Sequence, residues 1–455
     1  MFKLRRVPVL LVVLVLLVAT GVVTSLHRPV NPSELPNGLS VSLDAESTAL
    51  YCTGISNARG TPGRVTFFNT SSASRNLSVS VVSDKGNLYH GSIELAAHAA
   101  QSIEPGVVDK SATSATYAVA VQISGGGVVA EEIAETGRTE VPCSASGVTR
   151  WYATGFNTLV GSSAYLSVYN PTATAAVLNA SIFTAAGFYA PASFQGISVP
   201  AHTQTEINLD KQVVNTTNVG VGVRVLRGSL EIVGVESSAG TVSFEQGVTD
   251  AVNETWYPNV TTVQSAVAQI RVANPTDVAA EVTVDVALSP YTVSPQTLSV
   301  SPFSTGLIVI TPNPAIPAAG YANLTVHSNV PVVTALATGS GLSIALSSPQ
   351  VPSDALLVRD FTGLGFDAAT LTNTSTRSIT LTTSSFNAAK PDVITVTGGN
   401  KLAAGATEPL SSLIPNIATT NDVFLISASK PSLIASMTLP SRPRGVNVVT
   451  PLDGR

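Results

Sequence analysis

Apolar and polar residues alternate along much of this chain with a period of two, broken by turn residues, and that pattern predicts short, half-buried strands. The pattern also repeats. Four Asn-centred turns, Asn69-Thr70-Ser71, Asn170-Pro171-Thr172, Asn274-Pro275-Thr276 and Asn373-Thr374-Ser375, follow one another at spacings of 101, 104 and 99 residues. Four and two residues before each Asn the chain is apolar: Val65 and Phe67, Leu166 and Val168, Ile270 and Val272, Ala369 and Leu371. Eight, ten and twelve residues after it, three copies are apolar again, at Leu77, Val79 and Val81, at Leu178, Ala180 and Ile182, and at Val282, Val284 and Val286. The fourth copy is looser, with Ile379 and Leu381 six and eight residues on. Asn suits such a turn because its side chain bonds nearby backbone, while Pro presets φ and cannot continue a ladder. The repeated Asn is therefore read as a turn residue.

A second strand–turn–strand pattern closes each copy, over 117–133, 219–236, 322–338 and 423–438, and reads as a hairpin. With the segments between, each copy offers six or seven strands in about 100 residues, the strand density of an immunoglobulin-like β-sandwich. A propeller is disfavoured, because its blades need only four strands and about 40–50 residues. The Asn register sets expected β-domains at 48–148, 149–254, 255–353 and 354–455.

Ahead of the repeats, Lys3, Arg5 and Arg6 precede an uncharged run from Val7 to Leu26. Twenty residues as a helix span about 30 Å, which matches a bilayer core. The basic flank predicts a cytoplasmic N-terminus with the bulk of the chain outside. Two readings are open: an uncleaved anchor, with residues 1–26 as cytoplasmic tip and transmembrane helix, or a cleaved signal peptide and a secreted protein. Residues 27–47 read as a Pro-containing stalk. The expected fold class is thus mainly β: an N-terminal transmembrane helix followed by four tandem immunoglobulin-like β-sandwich repeats.

Composition narrows the chemistry. Of 455 residues 44% are hydrophobic and only 11% charged, with a net charge of −5. Such a chain builds cores, and it lacks the basic footprint of a nucleic-acid partner. Cys52 and Cys143 are its two cysteines. On an oxidising side of a membrane they are expected to pair, with two buried thiols as the alternative. His27, His90, His98, His202 and His327 are scattered without metal-ligand spacing, so neither a metal nor another cofactor is expected. The Ser427–Lys430 stretch matches SxxK, but it sits at an expected hairpin turn with no KTG partner, and is read as turn chemistry. Glu131-Glu132 is the most conspicuous acidic pair; neighbours on a strand point to opposite faces, so the two do not face each other across a cleft. Eight Asn-x-Ser/Thr sequons, at Asn69, Asn76, Asn179, Asn215, Asn253, Asn259, Asn323 and Asn373, are about what chance gives in so Ser- and Thr-rich a chain.

Trp151-Tyr152 and Trp256-Tyr257 open the second and third copies, 19 and 18 residues before the turn Asn, and Tyr51-Cys52 holds the matching place in the first. These aromatics are read as core or junction residues, with a stacking platform for a sugar as the sharper alternative. They are the candidate ligand-binding residues. The Trp-Tyr start, the Asn-Pro-Thr turn, the paired β-segments and the N-terminal apolar run resemble an uncharacterised actinobacterial family of membrane-anchored envelope proteins with tandem β-domains. The resemblance is best over residues 50–350, implies location and architecture, and supplies no catalytic residue. The functional expectation is a non-enzymatic, membrane-anchored, extracytoplasmic envelope protein with a structural or interaction role, its partners being the membrane through residues 7–26 and an envelope polysaccharide or protein. A glycan-acting enzyme or its accessory subunit, and an adhesin- or pilus-like subunit, are the alternatives.

Overall fold

The computed structural model describes residues 47–56, 63–108, 116–134, 139–238, 241–262, 267–288, 290–318, 321–340, 343–347, 355–359, 369–387, 390–413, 422–428, 433–437 and 450–452. The first segment folds into β1 (Ser47–Ser56), β2 (Arg64–Asn69), β3 (Arg75–Ser83), β4 (Gly86–Leu95), β5 (Ala100–Ile103), β6 (Thr116–Ser124), β7 (Val128–Ala134) and β8 (Thr139–Pro142). The second holds β9 (Arg150–Phe156), β10 (Ser162–Tyr169), β11 (Ala176–Thr184), β12 (Gly187–Tyr189), β13 (Ile197–Val199), β14 (Gln204–Asn208), β15 (Val219–Arg227), β16 (Glu231–Ser238) and β17 (Thr241–Glu245). Then come β18 (Val252–Thr261), β19 (Val267–Asn274), β20 (Ala280–Leu288), β21 (Tyr291–Thr292), β22 (Gln296–Val300), β23 (Ser304–Val309), β24 (Tyr321–Ser340) and β25 (Ser343–Ser347). The last segment carries β26 (Ala355–Arg359), β27 (Ala369–Asn373), β28 (Ile379–Asn387), β29 (Lys390–Leu402), β30 (Thr407–Pro409), β31 (Asp422–Ala428), β32 (Leu433–Met437) and β33 (Thr450–Leu452).

Each segment contributes to two sheets that share a core. In the first, the orders are β1-β6-β3-β4 and β5-β2-β7-β8. Leu50, Leu77, Val79 and Val121 of one sheet meet Val65, Phe67 and Val129 of the other. In the second, β12-β11-β15-β9 faces β14-β10-β16-β17, around Trp151, Leu166, Leu178 and Val221. The third and fourth repeat the arrangement around Ile270, Val284 and Leu324, and around Leu371, Leu381 and Ile426. Each fully buried Val or Leu contributes about 1.5–3 kcal/mol, so the period-two stripe is what holds each sheet pair together.

The strands flanking the expected turns are strands, but they are not hairpins. The Asn69 turn carries the chain from β2 in one sheet to β3 in the other, and the Gly125–Gly127 turn does the same between β6 and β7. Periodicity states which face of a strand is apolar and not which strand lies beside it, so two neighbours in sequence can bury their faces against each other across the core. In the third segment the turn expected within 322–338 is absent altogether, the chain running straight through Asn329–Pro331. There β24 runs for 20 residues, pairing with β18 and β20 and then with β19 and β25. Pro331, with no N–H to give, falls where the strand passes between sheets.

The expectation of a transmembrane helix is corrected. Among the described residues no helix is long and apolar enough to cross a membrane. The described helical turns, Ala192–Phe194, Pro105–Val108 and Leu410–Leu413, are three or four residues long, against the roughly 20 a bilayer requires. Among the described residues the apolar side chains are divided between alternating positions of strands, which leaves no continuous apolar helix there. Residues 7–26, on which the anchor was expected, lie outside the described residues. The membrane-anchored envelope role, the membrane as partner and the single-pass localisation are withdrawn with the helix, and the fold class becomes a chain almost entirely of β-strand.

Candidate functional site: the seams between repeats

The four turn asparagines build identical corners. Asn69 Nδ2 donates to the carbonyls of Ala73, Leu95 and Ala96 at 2.7, 3.1 and 3.0 Å, while its Oδ1 accepts from Ser71 N–H and Oγ at 3.0 and 2.7 Å. Asn170, Asn274 and Asn373 make the same five bonds with Thr172, Thr276 and Ser375 in the role of Ser71. All four are fully buried, so the sequons at Asn69 and Asn373 offer no amide to a glycan in the folded chain.

The aromatic pairs obey a parity counted from these corners. Positions 17 and 19 before the Asn are buried in all three copies: Cys52 and Leu50, Ala153 and Trp151, Tyr257 and Thr255. Position 18, occupied by Tyr51, Tyr152 and Trp256, is half-buried. A one-residue difference in spacing moves a strand side chain to the other face. Trp151 therefore points inward, 2% exposed, with its indole N–H donating to Gln246 O at 2.6 Å. Trp256 instead lies half-buried, and it is Tyr257 that enters the core, its hydroxyl donating to Thr334 Oγ1 at 2.9 Å. Cys52 and Cys143 form the expected disulfide, their Cα atoms 4.6 Å apart. In the SxxK stretch Ser427 ends in β31, and Lys430 lies outside the described residues.

Buried polar chemistry concentrates where one repeat meets the next. In β1 Gly54 adopts φ +100°, and a Cβ there would come within 3.1 Å of Val235 and 3.6 Å of Glu132 Oε1, so the second repeat packs directly on this bulge. Beside it Thr53 Oγ1 and Ser167 Oγ are 2.8 Å apart, and Gln204 Nε2 donates to both Ser167 Oγ and Thr116 Oγ1 at 2.7 and 2.8 Å. Thr116 Oγ1 in turn donates a hydrogen bond to Glu206 Oε1 at 2.5 Å. An apolar cluster joins Val141 of the first repeat to Val233, Val235 and Phe244 of the second. Glu132 and Glu231 are buried in this seam, each with one oxygen lacking a hydrogen bond. Burial, and then the nearby Glu231 charge, lifts the Glu132 carboxyl well above the ordinary range. Burial pushes Glu231 up to about 8 against a hydrogen bond from Ser144. Both shifts are upward, as expected when desolvation outweighs the few bonds available.

The second seam uses a different set. The Arg271 guanidinium, buried between repeats, donates through Nη1 to Gly155 O and, at 2.9 Å, to Asn157 Oδ1. Asn157 in turn donates from its backbone N–H and Nδ2 to the two oxygens of Glu236, each at 2.9 Å. Burial raises Glu236 to about 7, opposed by the Asn157 bonds and the Arg271 charge; burial also lowers Arg271 from its ordinary value, opposed by Glu236. Asn218 Nδ2 reaches across to Gly306 O at 2.6 Å, and Phe188 stands edge-on to Phe303 with centroids 6.0 Å apart. At the third seam Asn323 Nδ2 donates to Thr407 Oγ1, which lies 2.7 Å from Thr372 Oγ1.

None of these seam residues except Glu132 stands out in sequence. A signal exists in retrospect: Ser167 and Arg271 both sit three residues before their turn Asn, on the strand face turned away from their own core. Chemically the seams are adhesive. Of their carboxyls Glu132, Glu231 and Glu236 are buried, while Glu206 is exposed.

Comparison with known proteins adds one match of substance. A model described as a family of unknown function, DUF5719, covers residues 128–408. No curated protein matches the chain. Among solved structures, the Thermotoga maritima 1070 protein is similar at 14% identity over 22% of this chain and 94% of its own, with a TM-score of 0.21. A tetra-tandem repeat from the extending region of a large adhesion protein is similar at 10% identity over 88% and 98%, with a TM-score of 0.11. Likenesses this low bear on neither fold nor function. The matched family region takes in more than half of the chain, and the protein belongs to the DUF5719 family.

Proposed function

We propose that this chain is a non-catalytic scaffold: four β-repeats, with boundaries near residues 148, 254 and 353, fixed to one another so that an invariant outer surface is presented to partners. The observation that carries the reading is the Arg271–Asn157–Glu236 chain, which passes a buried cation and its acceptors from one repeat into the next. Repeats joined by small polar contacts usually move relative to each other. Opening this seam strips a buried guanidinium of its partners, a penalty of about 3–5 kcal/mol. The absence of catalysis is supported by the burial of Glu132 and Glu231, two carboxyls of the first seam that are 2% and 5% exposed. Spin labels at exposed Val160 and Val278, one in each of the second and third repeats, test the scaffold. A single narrow distance distribution that broadens in Arg271→Ala is the expected result; a broad distribution in the unmodified chain rejects it.

A further inference from the structure

Every repeat has a sheet edge at the strand that follows its β3 equivalent, and the repeats treat that edge differently. In the second repeat it is split into β12 and β13, with Pro191 and a helical turn between them. In the third it is split into β21 and β22 around Pro295. In the fourth, β29 carries Pro391, Lys390 and Lys401 and is bulged at Gly399. Interruption by proline, bulges and lysines are the means by which proteins prevent unwanted pairing at an edge. In the first repeat β4 is continuous for ten residues, and beyond an irregularity at Leu88 the stretch Tyr89–Leu95 has no Pro, Lys or Arg. Among the described residues β4 ends its sheet.

The inner face of β4 is also incompletely covered. Tyr89, Gly91 and Ile93 lie opposite the buried Val81, Val79 and Leu77 of β3, yet Tyr89 is 43% exposed. Its ring lies over Gly91, where a Cβ would collide with it. A further strand with apolar residues at alternate positions would cover this row.

The chain contains such a strand in sequence. Gly38-Leu39-Ser40-Val41-Ser42-Leu43, outside the described residues, repeats Leu-Ser-Val-Ser from Leu77–Ser80 of β3, the strand that already pairs with β4. The same tetrapeptide occurs at Leu298–Ser301, where its first three residues belong to β22. In the β3 register Leu39, Val41 and Leu43 would stand beside Ile93, Gly91 and Tyr89. Ser42 would face His90 as Ser80 does, whose Oγ lies 3.0 Å from His90 Nδ1. The segment cannot make this contact in its own chain. Leu43 is four residues from Ser47 at the start of β1, a reach of about 14 Å. A strand added beyond β4 lies four strand spacings from β1, about 19 Å away.

We propose that residues Gly38–Leu43 of one copy add as an antiparallel strand to the free edge of β4 in a second copy, so that the first repeat is a self-association site. This goes beyond the scaffold reading and does not depend on it. The test mixes two full-length variants, Leu43→Cys and Tyr89→Cys, each with one free cysteine added beside the intact Cys52–Cys143 disulfide, under oxidising conditions. The proposal expects a disulfide-linked heterodimer in at least about tenfold excess over that from Ser42→Cys with Tyr89→Cys, because a one-residue shift turns the side chain to the other face. Val41→Pro added to the Leu43→Cys chain, checked for folding by tryptophan fluorescence, should abolish the cross-link. Equal cross-linking at positions 42 and 43, none at either, or indifference to Val41→Pro each overturns it. Association through the apolar run Val7–Leu26 would give that indifferent outcome.

Discussion

At the four Asn corners the same five hydrogen bonds issue from the same side-chain atoms, whereas no two seams between repeats are built from the same residues. A corner closes within about thirty residues of its own repeat, from the turn to the end of the fourth or fifth strand, so each copy can keep it whatever its neighbours become. A seam must fit one particular neighbour. At the first it is a relay of hydroxyls, an amide and two buried carboxyls; at the second, a buried guanidinium; at the third, an Asn and two threonines. Repetition thus preserves what is local, and individuality enters where repeats meet.

The sharpest way to break this contrast is Arg271→Ala. It should cost about 3–5 kcal/mol, because Glu236 and Asn157 lose a buried partner. Trp151 and Trp256 are the only tryptophans and lie in the second and third repeats, so single-tryptophan chains report each side of the seam separately. The two urea midpoints, coincident before substitution, should separate after it. Asn170→Ala should cost somewhat less, about 3 kcal/mol, through carbonyls left without donors. Its loss should register at Trp151 more than at Trp256, the signature of a local corner.

Titration sharpens the comparison next. Glu231 holds its proton up to about 8 in the folded chain, whereas the unfolded carboxyl loses it near 4.3. Its contribution is complete below the unfolded value and is lost as pH rises toward 8; Glu132 and Glu236, also raised, act in the same direction. Stability should therefore fall as pH rises from 5 to 8. Glu231→Gln should flatten part of that slope in urea titrations, while Asn170→Ala leaves the slope unchanged. The smallest expected effect is Thr172→Ala, about 1 kcal/mol for one hydroxyl bonding the corner, read from the same midpoints.

The corners and cores were legible in sequence because they are periodic: Val65 and Phe67, or Ile270 and Val272, declare a buried face by spacing alone. Pairing was not. Strands β6 and β7 look like a hairpin in sequence, but a turn of three glycines gives no hint that they separate into opposite sheets. The Trp-Tyr starts look equivalent until the spacing to the corner, 19 against 18, is converted into a face of the strand. Seam residues such as Gln204 and Arg271 were invisible for a simpler reason. Their meaning lies in contact with a repeat about a hundred residues away, and a polar residue on an outward strand face ordinarily signals solvent.

The cystine of the first repeat has a mechanical consequence. Tension entering the chain ahead of Cys52 and leaving after Cys143 passes through the sulfur–sulfur bond, and the 91-residue separation between them carries none of it. Stretched out, that length would amount to roughly 300 Å. While the bond is intact the stretch between the two cysteines cannot lengthen under load, and reducing it would release that slack in one step.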